Sequence, residues 1–92
     1  MQKNPKSSQS PSKVGAPFQL VLLNDDVNTF EFVIDNLVAY CDHNPLQAEQ
    51  CAWIVHNNGQ CIIKKGGKEL ILDCASKLAQ AGLSIEVTET DE

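Results

Sequence analysis

The sequence predicts one α+β domain in which the elements follow the order β-α-α-β-α-β. Its 92 residues leave room for a single domain with a thin core. Three stretches carry apolar residues at helical spacing, and three short runs have the apolar or alternating pattern of strands. Three strands and three helices at this size form two layers, with one face of the sheet packed on the helices.

A polar turn separates the first strand from the first helix. Residues 18–23 form a short apolar run, which predicts a buried strand. Residues 24–26 are Asn-Asp-Asp, and these turn formers end the strand. Asn28 and Glu31 have the spacing of a capping box, so we expect Asn28 to cap a helix. The apolar face of this helix consists of Phe30, Val33, Ile34, Leu37 and Cys41.

The second helix is predicted to follow Asn44, with Pro45 at its first position and Gln47 completing a capping box. Its apolar face consists of Ala48, Cys51, Ala52 and Val55. Gly59 suits the left-handed conformation that ends many helices. Residues 60–63 then form a second short strand.

The C-terminal part is predicted to contain an exposed turn, a third helix and a third strand. The turn covers residues 64–68, and the helix runs from about residue 68 to residue 81, where Gly82 ends it. The residues expected to face inward are Ile71, Cys74, Ala75, Leu78 and Ala79. Apolar and polar side chains alternate over residues 83–88, which predicts a half-buried strand.

Composition sets the expected domain boundaries and compartment. Residues 1–17 are rich in Ser, Pro, Lys and Gln, so we expect a disordered extension before a domain at residues 18–89. Residues 90–92 are expected to be a frayed acidic tail. No segment resembles a signal peptide or a membrane span, which favours a cytoplasmic protein. The cysteines form no C-x-x-C pair, so we expect reduced, mostly buried thiols at Cys41, Cys51, Cys61 and Cys74.

The charge is distributed asymmetrically along the chain. Residues 1–17 carry three lysines and no acidic residue, whereas residues 18–92 carry four lysines and twelve acidic residues, a net charge of −8. Such a domain repels phosphate backbones, which argues against nucleic acid and favours a partner with positive charge. The sequence contains no arginine, so no guanidinium is available to clamp a phosphate or carboxylate.

One group of polar residues is a candidate binding site. If the first two helices are antiparallel neighbours, His56 near the end of the second helix faces residues 24–26 before the first. An amide oxygen, carboxylates and a neutral imidazole all accept hydrogen bonds, so together they suit an ammonium group. The apolar residues beside them are Phe30, Val33, Ala52 and Val55.

Simpler interpretations stay open for these residues. Asn-Asp-Asp after a strand is often only a turn, and a late helical histidine often interacts with the helix dipole. A metal or enzyme site built from Asp25, Asp26, His56 and Cys61 is the weaker alternative, because metal ligands usually include close pairs. The residues expected to have no role in recognition are His43, Lys64 and Lys65, which we expect to be solvated, and Trp53, which we expect to pack.

The motifs at this site resemble the ClpS adaptor family of the ATP-dependent Clp protease. After an apolar strand, the sequence has N-D-D, four further residues, E-F-V, and about twenty residues later V-H-x-x-G ending at Gly59. The resemblance covers residues 18 to about 63, and the remainder matches in its helix–strand order. It implies a three-stranded antiparallel sheet packed on three helices, a fold shared with the C-terminal domain of the ribosomal stalk protein.

The resemblance also implies a function and a set of site residues. Members of this family are non-enzymatic adaptors that bind proteins beginning with Leu, Phe, Tyr or Trp and deliver them to the N-terminal domain of a Clp-type AAA+ unfoldase. By position, the residues around the substrate's α-amino group are Asn24, Asp25, Asp26 and His56. Those around the side-chain pocket are Leu22, Leu23, Asn28, Thr29, Phe30, Val33, Ala52 and Val55. Glu69 matches a position that contacts the unfoldase. No cofactor, metal, nucleic acid or membrane is implied, and we expect a monomer.

Departures from the family pattern leave a second hypothesis open. Phe30 and Ala52 stand where methionines are common, so the pocket is expected to have a different shape. A further wall is expected at Leu83 or Ser84. Lys68-Glu69-Leu70-Ile71 stands where the family has A-E-T-K, after a shortened loop. These two departures favour the alternative of a ribosomal-stalk-like docking module that does not use the amine pocket.

Overall fold

Residues 17–90 are described by a computed structural model. The elements are β1 (Phe18–Leu23), α1 (Phe30–Tyr40), α2 (Pro45–Asn58), β2 (Gln60–Gly66), α3 (Lys68–Gln80) and β3 (Ile85–Glu89). The predicted order and the α+β class are confirmed. The predictions for the 1–17 extension and the acidic tail lie outside the described residues, apart from Pro17 and Thr90. Over residues 17–90, no helix has the length and apolar character needed to cross a membrane.

β1 is the central strand of an antiparallel sheet with the order β2-β1-β3. Because β1 is paired on both sides and the helices pack on the sheet, three consecutive residues in the middle of the strand, Leu20, Val21 and Leu22, are buried. The core consists of Leu20, Leu22, Leu37, Cys41, Ala48, Val55, Ile63, Ile71, Cys74, Ala75, Leu78 and Leu83. Ala79 was expected to face inward, but it is exposed because the buried stripe of α3 ends at Leu78.

β2 is longer than the sequence predicts. The strand was expected to end at residue 63, but it continues to Gly66, which pairs with Phe18 at the start of β1. Leu20 pairs with Lys64 and Val21 with Ile62, so one extra residue bulges from β2. Main-chain pairing along the whole of β1 therefore replaces most of the predicted turn.

Lys64 is not the solvated side chain that the sequence suggested. Its side chain is only 17% exposed, and its Nζ donates to the Cys41 carbonyl oxygen at 3.3 Å. The same Nζ lies 3.7 Å from the Asp42 carboxylate. This lysine therefore joins the middle of β2 to the end of α1.

The N-cap of α1 also differs from the prediction. Thr29, not Asn28, precedes the helix, and its Oγ1 accepts a hydrogen bond from the Phe32 amide at 3.0 Å. Asn28 is engaged elsewhere, as described below. The cap of α2 is as predicted: the Asn44 Oδ1 accepts from the Gln47 amide at 2.8 Å, and Gly59 ends the helix with φ of 92°.

His43, between α1 and α2, is buried, so the prediction that it is solvated is wrong. It is only 5% exposed. Its Nε2 lies 2.8 Å from the Ile63 carbonyl oxygen, and since a carbonyl only accepts, Nε2 carries the hydrogen. Its Nδ1 has no hydrogen-bond partner within residues 17–90. The contact with β2, 20 positions away, is a tertiary one that local sequence does not reveal.

Candidate functional site

A cavity of about 350 Å³ opens beside the end of β1, between α1 and α2. The residues that line it are Leu22, Leu23, Asn24, Asp25, Asp26, Asn28, Phe30, Val33, Ala52, Trp53, Val55, His56 and Leu83. Its polar side chains come from the β1–α1 turn and the end of α2, while its apolar side chains come from β1, both helices and the α3–β3 loop. One end can therefore hydrogen-bond a ligand and the other can bury apolar surface.

The polar end joins residues that are far apart in the sequence. The Asn24 amide donates to the Gly59 carbonyl oxygen at 2.9 Å, which fixes the end of β1 beside the end of α2. Asn24, Asp26 and His56 consequently line the same cavity, and all three are exposed. Exposed acceptors around an open cavity are available to a donor-bearing ligand.

Asp25 differs from its neighbours because its carboxylate is already occupied. Oδ1 accepts from the amides of Val27 and Asn28, each at 2.9 Å. Oδ2 accepts from the Asn28 side-chain amide and the Ser84 hydroxyl, also at 2.9 Å. These hydrogen bonds, the Asn28 backbone amide first among them, lower the pKa of Asp25 to about 2. The carboxylate is therefore ionised at neutral pH and held in a fixed orientation.

The same hydrogen bonds connect the turn to the other side of the cavity. The Asn28 side-chain amide also donates to the Gly82 carbonyl oxygen at 3.0 Å. We call Asp25, Asn28, Gly82 and Ser84 the Asp25 network. Because it ties the β1–α1 turn to the α3–β3 loop, it holds that loop against the cavity, where Leu83 forms part of the wall.

Trp53 is a lining residue that the sequence prediction missed. It packs edge-on against Phe30, with ring centroids 5.1 Å apart, as the packing interpretation expected. It is nevertheless 51% exposed, lines the cavity, and lies 6.2 Å from the His56 ring. Trp53 and His56 are three positions apart on one helix, so helical periodicity could have placed both on the same face.

Several predicted residues lie away from the cavity. Thr29 is not among the lining residues and instead caps α1. Glu69 lies exposed in the first turn of α3, outside the cavity. Cys61 is also not a lining residue, and residues 17–90 contain no group of three or more His, Cys, Asp or Glu side chains that could hold a metal ion.

Comparison with known proteins gives the family. The family model described as "ATP-dependent Clp protease adaptor protein ClpS" matches residues 13–86. The chain belongs to the ClpS family. A ClpS adapter protein from Nostoc sp. is 33% identical over 88 residues, covering 91% of this chain and 88% of that protein. One from Campylobacter jejuni is 34% identical over 79 residues, covering 78% and 81%.

A solved ClpS structure shares the fold. Agrobacterium tumefaciens ClpS2 bound to L-phenylalaninamide superimposes with a TM-score of 0.71 at 18% identity, covering 82% of this chain and 98% of that one. As a ClpS protein, the chain is an adaptor of the ATP-dependent Clp protease.

Proposed function

We propose that this ClpS protein is a cytoplasmic, non-enzymatic adaptor that binds the first residue of substrate proteins. The residues accepted are Leu, Phe, Tyr and Trp, and the bound proteins are delivered to a Clp-type AAA+ unfoldase. The observation that supports the proposal most strongly is that one cavity combines free acceptors at one end with apolar walls at the other. The ligand of Agrobacterium ClpS2, L-phenylalaninamide, combines an α-amino group with an aromatic side chain.

The polar end suits an α-ammonium group. A free α-amine has a pKa near 8 and is mostly charged at neutral pH, so it presents only donors. Asn24, Asp26 and a neutral His56 supply acceptors, while Asp25 supplies a fixed negative charge beside them. In this proposal Asp25 acts mainly by orienting the turn, because each of its oxygens already accepts two hydrogen bonds.

The apolar end suits the side chain of the first residue. Val33 and Val55 face the cavity from the two helices, and Leu83 closes it from the α3–β3 loop. Burying a leucine or aromatic side chain there contributes roughly 1.5–3 kcal/mol. Thr29 contributes indirectly by capping α1 and so positioning Phe30.

Delivery requires a second surface, and Glu69 is the residue proposed for it. Glu69 is exposed at the start of α3. A partner bound there leaves the cavity free for substrate. The alternative of a stalk-like docking module predicts that binding partners use the helices and ignore the cavity.

Peptide binding distinguishes these two functions. A peptide beginning with Phe is compared with the same peptide acetylated at its α-amino group, which removes the charge and two of the three donors and adds a carbonyl oxygen among the acceptors. Acceptors that the bound peptide covers without supplying enough donors cost a few kcal/mol in total, so we expect at least about a hundredfold weaker binding. Equal affinities for the two peptides would show that the cavity is only an apolar groove and would favour the docking module.

Matched variants locate the amine site. Asp26→Asn is expected to weaken binding of the Phe-first peptide about tenfold or more, since it removes a charge at the polar end. Glu49→Gln makes the same charge change on the exposed side of α2 and is the control. A similar loss in both variants would assign the effect to net charge and not to the site.

A further inference from the structure

Two buried cysteines meet where α1 and α3 pack together. The Cys41 and Cys74 sulfurs are 2.7 Å apart, and each residue is only 2% exposed. Cys74 Sγ also donates to the Tyr40 carbonyl oxygen at 3.4 Å, so Cys41 is the donor to Cys74. A disulfide bond is about 2.05 Å long. The two side chains already point at each other across two helices, and little movement separates the dithiol from the disulfide.

The reduced pair is protected while the structure is closed. Burial raises the pKa of the Cys41 thiol well above its ordinary range, and the hydrogen bond to the adjacent Cys74 thiol raises this pKa further. Because a thiolate is the form that attacks oxidants, the closed pair is unreactive. Oxidation therefore requires a local opening that brings one of the two sulfurs to solvent.

The end of α1 provides such an opening. Cys41 is the C-cap of the helix, between Tyr40, which is 44% exposed, and Asp42, which is also exposed. Asp42 has φ of 61°, a left-handed conformation that costs free energy in a residue other than glycine. Unwinding the last turn breaks the Cys41–Leu37 main-chain hydrogen bond of 3.0 Å. It also breaks the hydrogen bonds that Lys64 and Cys74 donate to the Cys41 and Tyr40 carbonyl oxygens. All of these contacts lie at one end of the helix, so the opening is local.

We propose that Cys41 and Cys74 are a modification site at which a small disulfide oxidant, such as oxidised glutathione, forms a disulfide between α1 and α3. The exposed Cys41 thiolate attacks one sulfur of the oxidant, forming a mixed disulfide and releasing one glutathione thiolate. Cys74 then loses its proton and attacks the Cys41 sulfur, releasing the second glutathione. Both protein thiols are oxidised, and one molecule of oxidant is reduced to two thiols.

The new bond would enclose one wall of the cavity. Cys41 and Cys74 are 33 positions apart, and the enclosed segment contains α2 and β2. Cross-linking a segment of this length restricts the unfolded chain, so the oxidised protein is expected to melt roughly 5–10 °C higher than the reduced one. The site is independent of the proposed peptide recognition.

A second thiol pair provides a comparison within the same chain. Cys51 on α2 lies near Cys61 on β2, and both residues are partly buried. Only ten positions separate these cysteines, so a disulfide between them would enclose a much shorter segment. The experiment must therefore identify which sulfurs are joined.

The full chain is incubated with oxidised glutathione, quenched and alkylated under denaturing conditions. It is then digested with trypsin and a glutamate-specific protease. Cleavage after Glu49, Lys64 and Glu69 separates Cys41, the Cys51–Cys61 pair and Cys74 into three peptides. We expect a disulfide-linked pair of peptides 32–49 and 70–77, reversed by a reductant, together with the higher melting temperature.

Variants provide the control. The linked peptides should persist in the Cys51→Ala/Cys61→Ala double variant and disappear in Cys41→Ala. If the oxidised wild type contains no link between peptides 32–49 and 70–77, or if Cys74 is joined only to Cys51 or Cys61, the proposal is wrong. The wild-type digest decides the question even if Cys41→Ala fails to fold.

Discussion

The turns on either side of α1 have similar polar compositions but opposite environments. Residues 24–29 precede the helix and open onto the cavity, with Asp26 exposed and Asp25 held by hydrogen bonds. Residues 41–44 follow the helix and are folded against β2, so that His43 is buried. The difference shows that polarity alone does not mark a site. A polar side chain is available to a ligand when no other element packs against that side chain.

The largest difference between the two turns is expected in the free energy of unfolding when the histidine nearest to each turn is replaced by alanine. His43→Ala removes the donor to the buried Ile63 carbonyl and leaves a cavity, so we expect the free energy of unfolding to fall by about 2–4 kcal/mol. His56→Ala removes an exposed side chain and should cost less than about 0.5 kcal/mol.

Urea unfolding of the two histidine variants measures this difference in stability. The affinity for a Phe-first peptide should rank the two variants in the opposite order. We expect His56→Ala to weaken Phe-first peptide binding and His43→Ala, while folded, to preserve it. Equal stability losses in the two variants would contradict the contrast between the turns.

The next effect concerns the ionisation of Asp25. Its pKa of about 2 in the folded protein lies below the ordinary 3.8, so its ionised form stabilises the fold. This contribution is fully present above about pH 4 and is lost as the pH falls through 2. Asp25→Asn cannot ionise and should be less stable at neutral pH by about 1–3 kcal/mol.

The stability difference between wild type and Asp25→Asn should narrow between pH 4 and pH 2. Urea midpoints measured across this range test the prediction. A difference that stays constant with pH would mean that the carboxylate charge does not stabilise the first turn.

The smallest expected effect tests the link between the first turn and the α3–β3 loop. Ser84→Ala removes one hydrogen bond to Asp25 and should cost about 0.5–1.5 kcal/mol. Ser76→Ala is the control, because Ser76 is an exposed helical serine whose hydroxyl accepts only a surface hydrogen bond from Gln80. Thermal melts of the pair give the comparison, and a larger loss for Ser76→Ala would show that the link is unimportant.

Much of the fold could be predicted because it depends on local patterns. Asn44 and Gly59 bound α2 as expected, since a side-chain cap and a left-handed glycine act within a few residues. The sequence predicts Asn28 as the cap of α1, but Thr29 is the cap in the structure. Asn28 instead donates a hydrogen bond to Gly82, which is 54 positions away and which local sequence does not reveal. The length of β2 was missed for a similar reason: its last residues are held by pairing with β1.

The candidate site divides in the same way. The N-D-D and V-H-x-x-G segments contain the residues that line the polar end of the cavity, and the packing of α1 on α2 places the two segments close together, as the sequence predicts. Trp53 was assigned to packing because the sequence does not show which part of a ring stays exposed. The sequence predicts a further cavity wall at either Leu83 or Ser84 and does not distinguish them, since β3 begins at Ile85, later than the alternating pattern suggests.

By itself, the sequence determined the order of elements, most helix ends and the ClpS family motifs, because periodicity and capping act over a few residues. Only the tertiary structure decided which polar groups are free and which are committed. Asp25 and Asp26 are adjacent, yet the first is bonded to Ser84, 59 positions away, and the second is exposed. The hydrogen bonds and the burial of a side chain depend on the residues that pack against it. Those residues are often distant in the sequence, so a local sequence pattern does not identify them.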